Sequence, residues 1–141
     1  MKKKNKRKIF VTEYDHKRLT DLIETSMNSG SRDRADLDEL GAELENAKIV
    51  APKRIPPNVV TMNSTVRVRD LENGKEYTYT LVFPDEADPA EGMISIVAPI
   101  GTALLGYACG DTLDWHVPSG TRRLEIVDLV YQPEAAGDYD L

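Results

Sequence analysis

Three prolines within six residues, Pro52, Pro56 and Pro57, cut this chain into two parts with different periodicities. Proline fixes its own φ, lacks an N–H and pushes the preceding residue out of the helical region, so neither a helix nor a central strand runs through residues 51–57. Upstream the apolar residues recur at helical spacing; downstream they alternate or run together as they do in strands. The chain is therefore predicted to be α+β. A basic leader (1–8) precedes an N-terminal antiparallel helical hairpin, a short coiled coil (9–51). A stiff connector (52–57) then leads to a β-sheet domain with a short helix (58–141).

In the first part, Thr12 with Asp15 three positions on reads as a capping sequence opening a helix to about Met27. Leu19, Leu22, Ile23 and Met27 form its apolar stripe. A turn at Asn28, Ser29, Gly30 and Ser31 follows, after which Ser31 or Asp33 caps a second helix running to about Val50. Leu37, Leu40, Leu44 and Ala47 line that helix, and Gly41, which costs it about 1 kcal/mol relative to alanine, marks a close helix approach. Two narrow stripes on consecutive helices can bury against each other as an arm on the order of 20 Å long. An arm that projects and a layer folded back on the sheet both satisfy this pattern.

In the second part, residues 59–62, 65–69 and 77–82 read as strands, the last two joined by a hairpin turn at Asn73-Gly74. Residues 84–92 form an acidic loop. Residues 94–98 have the β-branched content of a buried strand. Pro99 and Gly101 then force a corner, residues 102–105 make one helical turn ending at Gly106, and a Gly110-Asp111 turn leads into a strand. There Leu113, Trp115 and Val117 alternate with Asp114 and His116 up to a turn at Pro118, Ser119 and Gly120. Residues 121–131 are one long strand whose apolar phase changes after Ile126, which predicts a bulge. The last ten residues are acidic and turn-rich.

Composition narrows the function classes. No apolar run approaches the roughly 20 residues that span a bilayer, and the charged start MKKKNKRKIF has no apolar stretch behind it, so neither a membrane anchor nor a secretory leader is predicted. Cys109 is the single cysteine, so no intramolecular disulfide forms, and both facts point to the cytoplasm. Six of the 18 basic residues lie between Lys2 and Lys8, leaving 12 basic against 24 acidic side chains over residues 9–141, a formal −12. A body that acidic repels a phosphate backbone and suits a basic protein surface; DNA or RNA is met only through a partner.

Enzyme motifs are absent: no phosphate-cradling glycine loop, no Ser-His-Asp pattern, no Cys-x-x-Cys. His16 and His116 fall in separate modules and read as structural, as does Cys109, which has no basic neighbour to lower its thiol pKa. Asp33, Asp36, Asp38 and Glu39 gather near the hairpin turn. Acids in a first helical turn are explained by the macrodipole alone, yet carboxylates at the end of an arm could also reach a Mg²⁺ held by another protein.

The helical hairpin followed by residues reading VVTMNSTV, YTLV and ISIVAPIGTALLG resembles the Gre-type transcription elongation factors. The short arm, the VVTMNS stretch, residues 98–106 and the ending YQPEAAGDY resemble that family's small branch of nucleoside diphosphate kinase regulators. The resemblance implies an FKBP-like C-terminal domain that docks on RNA polymerase, and a coiled coil directed at the polymerase secondary channel. In Gre factors the docking loop reads Ser-Pro-Ile or Ser-Pro-Leu; here Ala98, Pro99, Ile100 and Gly101 occupy it, with alanine in place of the serine. Gre factors also carry an acidic pair at the tip of a longer arm, which helps bind a catalytic Mg²⁺ for cleavage of backtracked RNA.

The expectation is a non-catalytic regulator without cofactor, metal or small-molecule substrate. It docks through Ala98, Pro99, Ile100 and Gly101 and sets the tip acids Asp33, Asp36, Asp38 and Glu39 at the channel mouth, competing with longer factors. The alternatives are stimulation of RNA cleavage through Asp33, Asp36 and Mg²⁺, prolyl isomerisation on the FKBP-like fold, and regulation of a kinase.

Overall fold

The computed structural model describes residues 9–28, 34–117 and 120–138. Its elements in chain order are strand β1 (Phe10–Thr12), helices α1 (Glu13–Asn28) and α2 (Arg34–Glu45), and strands β2 (Lys48–Val50), β3 (Thr65–Asp70), β4 (Glu76–Val82) and β5 (Met93–Ser95). Helix α3 (Pro99–Leu104), strands β6 (Thr112–Val117) and β7 (Gly120–Tyr131) and the single turn α4 (Pro133–Ala136) follow, and short 3-10 turns lie at Pro52–Arg54, Pro84–Glu86 and Pro89–Glu91. The fold is α+β, with the helical pair first and the sheet after it.

Thr12 caps α1 as its sequence implies, its Oγ1 accepting the Asp15 N–H at 3.0 Å. The second helix corrects the expectation: it stops at Glu45, not near Val50. Asn46 closes it by bonding back to the Ala42 carbonyl through both its main chain and its side-chain amide. Lys48–Val50 then pairs in parallel with Phe10–Thr12, Val11 opposite Ile49. The β-branched residues Ile49 and Val50 find an extended partner in β1, and that distant pairing overrides the helical period. Ile23 Cδ1 lies 3.9 Å from where a Gly41 Cβ would sit, an ordinary contact distance. The helices do approach there, but the approach does not itself require glycine. The turn expected at Asn28 to Ser31 and the caps Ser31 and Asp33 fall on or beside residues 29–33, outside the described residues, as does the Pro118-Ser119 turn.

The sheet runs β5-β4-β3-β7-β6, antiparallel except where β5 lies parallel to β4. Gly74, at φ 76°, makes the β3–β4 turn that Asn73-Gly74 predicts. The phase change in β7 is a pair of register shifts against β3, one between Thr65 and Val66 and one between Arg67 and Val68. Two expected strands are shorter or absent. Residues 59–62 form no regular strand: Val59 bridges Ala108, and Val60 exchanges backbone bonds with Gly106 and Tyr107. Asn63 then turns the chain in the left-handed region, at φ 67°, while Ser64 Oγ takes the Thr61 N–H. The strand expected over 94–98 ends at Ser95, because Ser95 bonds forward through its hydroxyl to the Val97 N–H and through its carbonyl to the Ala98 N–H.

One apolar core serves both parts. Ile9, Val11, Leu19, Leu40 and Leu44 from the N-terminal part pack with Val66, Val68, Leu81, Ile96, Leu104, Leu124 and Ile126 from the sheet and α3. The other sheet face carries a polar ladder: Arg67 with Glu76 and Asp128, Arg69 with Glu76 and Glu125, and Arg123 with Asp114. This is the solvated face of an antiparallel sheet.

Candidate functional site

The corner at Ala98, Pro99, Ile100 and Gly101 is a rigid piece of backbone. Ala98 is extended (φ −71°, ψ 148°) and stands as N-cap of α3, with Pro99 in the first turn where its missing N–H leaves nothing unsatisfied. The Ala98 carbonyl accepts the Thr102 N–H at 3.0 Å, and Thr102 Oγ1 donates to the Ile96 carbonyl at 2.7 Å, which ties the helix to the strand before it. Ile100 is 6% exposed and belongs to the core. Gly101 is buried so closely against β5 that an added Cβ would stand 2.1 Å from the Ser95 carbonyl oxygen. Ile100 and Gly101 thus shape the corner from within, and Ala98 is half-buried. The side chain of Pro99 lies outside the described residues.

Helix α2 rests against α3, so the helical pair and the corner are neighbours. Asp38 is exposed on α2; the backbones of Asp36 and Glu39 are in the same helix, while their side chains and all of Asp33 lie outside the described residues. Among the described residues no group of three or more His, Cys, Asp or Glu side chains is arranged to hold a metal. Burial pushes the Cys109 thiol above its ordinary range, and the charges of Asp128 and Asp111 add to the shift, so the thiol is a poor nucleophile. A shallow recess lined by Leu71, Glu72, Asp114, Thr121 and Arg123 has no aromatic wall.

A polar cluster where α1 meets residues 61–64 and the tail is the feature that sequence reasoning missed. Asp15, read as a capping acid, is 1% exposed and turns inward. Its Oδ2 accepts the Met62 N–H at 3.1 Å and its Oδ1 accepts Arg18 Nη2 at 2.7 Å. The Arg18 guanidinium sits 3.9 Å from the centre of the Tyr14 ring and 4.7 Å from that of Phe83. Thr61 Oγ1 donates to Glu134 Oε1 at 2.7 Å, and Gln132 Nε2 donates to the Pro56 and Val59 carbonyls at 2.8 and 2.7 Å. Burial raises the Asp15 carboxyl above the usual range against the hydrogen bonds from Arg18 and Met62. Burial also raises Glu134, opposed by the bond from Thr61 and reinforced by the charge of Asp15. The signal available in the sequence was an acid, an arginine and a tyrosine at Tyr14, Asp15 and Arg18, spaced to share one face of a helix's first turns.

Residues 55–131 match the family described as "Transcription elongation factor, GreA/GreB, C-term", and residues 7–50 match "Rnk N-terminus". The chain belongs to the GreA/GreB transcription elongation factor family. Among relatives, it is 40% identical over 132 residues to the "Regulator of nucleoside diphosphate kinase" of Escherichia coli (strain K12), covering 93% of this chain and 95% of that one. It is 35% identical over 117 residues to "Transcription elongation factor GreA" of Helicobacter hepaticus, covering 79% of this chain and 72% of that protein. Its fold superposes on the "Prokaryotic transcription elongation factor GreA/GreB from Nitrosomonas europaea" with a TM-score of 0.74 at 44% identity, covering 88% of this chain and all of the other. The GreA/GreB match takes in the corner, the Asp15-bonded residue Met62 and every strand from β3 to β7. Among the described residues of this GreA/GreB family member, no helix is long and apolar enough to cross a membrane.

Proposed function

We propose that this chain is a cytoplasmic, non-catalytic regulator that binds RNA polymerase near its secondary channel. It docks through the surface around Ala98, Pro99, Ile100 and Gly101 and holds a short arm toward the channel, where it competes with longer channel-binding factors. In this reading residues 58–141 are an FKBP-like docking domain, 52–57 a connector, 9–51 a short coiled-coil arm and 1–8 a basic leader. The observation that carries it is that corner and arm root are built on one core and lie side by side, so that a partner gripping the corner also receives the arm in a fixed place. The acidic body, −12 over residues 9–141, supports a basic protein surface as the partner rather than nucleic acid. Helices of 16 and 12 residues reach about 24 and 18 Å, short for an arm that would deliver acids to a deep active site. An effect on nucleoside diphosphate kinase, the activity in the relative's name, is in this reading an indirect one through transcription.

The test is a pull-down of purified bacterial RNA polymerase by the tagged chain at low salt, followed by displacement of a long-armed Gre factor. Retention of polymerase and displacement of the longer factor are expected. Absence of retention refutes the proposal, and shortened transcripts from backtracked complexes would replace it with the cleavage-stimulating alternative through Asp33, Asp36 and Mg²⁺.

A further inference from the structure

Apolar contacts of Leu19, Leu40 and Leu44 hold the root of the arm in the common core, but burial and dispersion are not themselves directional. A hydrogen bond to a fixed backbone N–H does carry direction. The Asp15 carboxylate supplies one, reaching from the first turn of α1 to the Met62 N–H, 47 positions away. It is also anchored on its other oxygen by Arg18, whose guanidinium is held between the rings of Tyr14, on the arm, and Phe83, at the end of β4. Arg18 Nε is buried and has no hydrogen-bond partner among the described residues, so the two rings and the Asp15 carboxylate, with the charge of Glu134 nearby, hold this cation. The receiving loop is itself fixed. Asn63 turns it in the left-handed region, Ser64 binds Thr61, and Thr61 binds Glu134 of the tail.

We infer that Asp15 and Arg18 are the positioning residues of this protein: they set the direction of the helical arm relative to the sheet, with the tail residues Gln132 and Glu134 bracing the loop that receives them. The inference rests on the polymerase-binding reading for its purpose, since an arm aimed from a docked domain is useful only if its direction is constant. Its geometry stands independently of that reading. The charge of Asp15 is affordable in the core only because Arg18 and the Met62 N–H meet both oxygens, so removing either partner should loosen the joint rather than merely weaken the whole fold.

Arm direction can be measured on the full chain by electron–electron distance spectroscopy, with spin labels at exposed Asp38 on α2 and exposed Thr78 on β4 in a Cys109→Ser background. A single narrow distance distribution is expected for the otherwise unchanged protein. Asp15→Ala should widen it at least twofold, and Asp15→Asn, which keeps an acceptor for the Met62 N–H, should restore most of the parent's narrowness. If Asp15→Ala does not fold, Arg18→Met is the deciding variant. It fills the slot between the rings with an uncharged stem and should also widen the distribution. A folded variant of the deciding pair with the width of the parent overturns the inference. In the polymerase competition assay, Asp15→Ala should still be retained by polymerase while displacing a long-armed factor at least fivefold less well. Loss of retention by the parent chain would instead refute the docking reading and leave the spectroscopic result untouched.

Discussion

Replacing Gly101 with alanine tests whether the corner is built from within. By helix propensity alone the change would help, since alanine is favoured over glycine in a helix by about 1 kcal/mol. Packing opposes it. The new Cβ would stand 2.1 Å from the Ser95 carbonyl oxygen, 3.0 Å from the Ser95 carbonyl carbon and 3.1 Å from Ile96 Cα, all backbone atoms that no rotamer change can move aside. Relief requires α3 and β5 to separate by about 1 Å, beyond what ordinary overpacking at about 1–3 kcal/mol demands, so the upper end of that range applies. Subtracting the propensity gain leaves a net loss of about 2 kcal/mol, or roughly 6–10 °C in Tm for a domain of this size. Thermal unfolding followed by circular dichroism measures it, and polymerase retention by the same variant should fall because Ala98 moves with α3. An unchanged or higher Tm would show that β5 and α3 are not in the tight register described and that the corner is soft.

Leu40, fully buried in α2, packs in the core shared with the sheet, so Leu40→Ala should cost about 2–5 kcal/mol and lower the midpoint of one cooperative transition seen by both helix and sheet signals. A helical transition that separates from the sheet transition would refute the shared core. For Glu134 the sign follows from its raised carboxyl pKa, which burial causes. The folded state favours the protonated form, so the contribution to stability is fullest below the unfolded carboxylate range and is lost as pH rises through the folded value. Glu134→Gln keeps an acceptor for Thr61 without the charge and should raise Tm near pH 7, with the two proteins converging near pH 4; a difference in Tm that is constant across that range would refute the assignment.

Local chemistry was legible wherever neighbours in sequence decide the structure. Thr12 as helix cap, Asn73-Gly74 as hairpin turn and the bulged β7 were each visible because a few adjacent residues fix the backbone there, whereas Pro99, read as part of a corner ahead of a helical turn at 102–105, is itself the first residue of that helix. What stayed hidden depended on distant partners. Ile49 and Val50 look like the end of a helix until Phe10–Thr12 is placed beside them, and residues 59–62 look like a strand until Tyr107 and Ala108 take their bonds. The corner was legible as a corner, but Ile100 as a core residue was not, because an isoleucine in a turn reads equally as a contact or as an anchor. Asp15 was legible as an acid that belongs in a first helical turn, and that sufficient local explanation masked its bond to Met62.

The parallel pairing of Phe10–Thr12 with Lys48–Val50 fastens the two ends of the arm together at its base. Everything between them is a closed excursion whose entry and exit points are pinned regardless of how far it extends. Turns added equally to both helices beyond their buried residues leave the seam, the core and the corner where they are. The length of the helical pair is therefore a quantity that insertion or deletion can vary on this body while the sheet half stays unchanged. If the polymerase-binding proposal holds, a graded series of helical pairs on one base is the material for asking how their length sets the outcome of that binding.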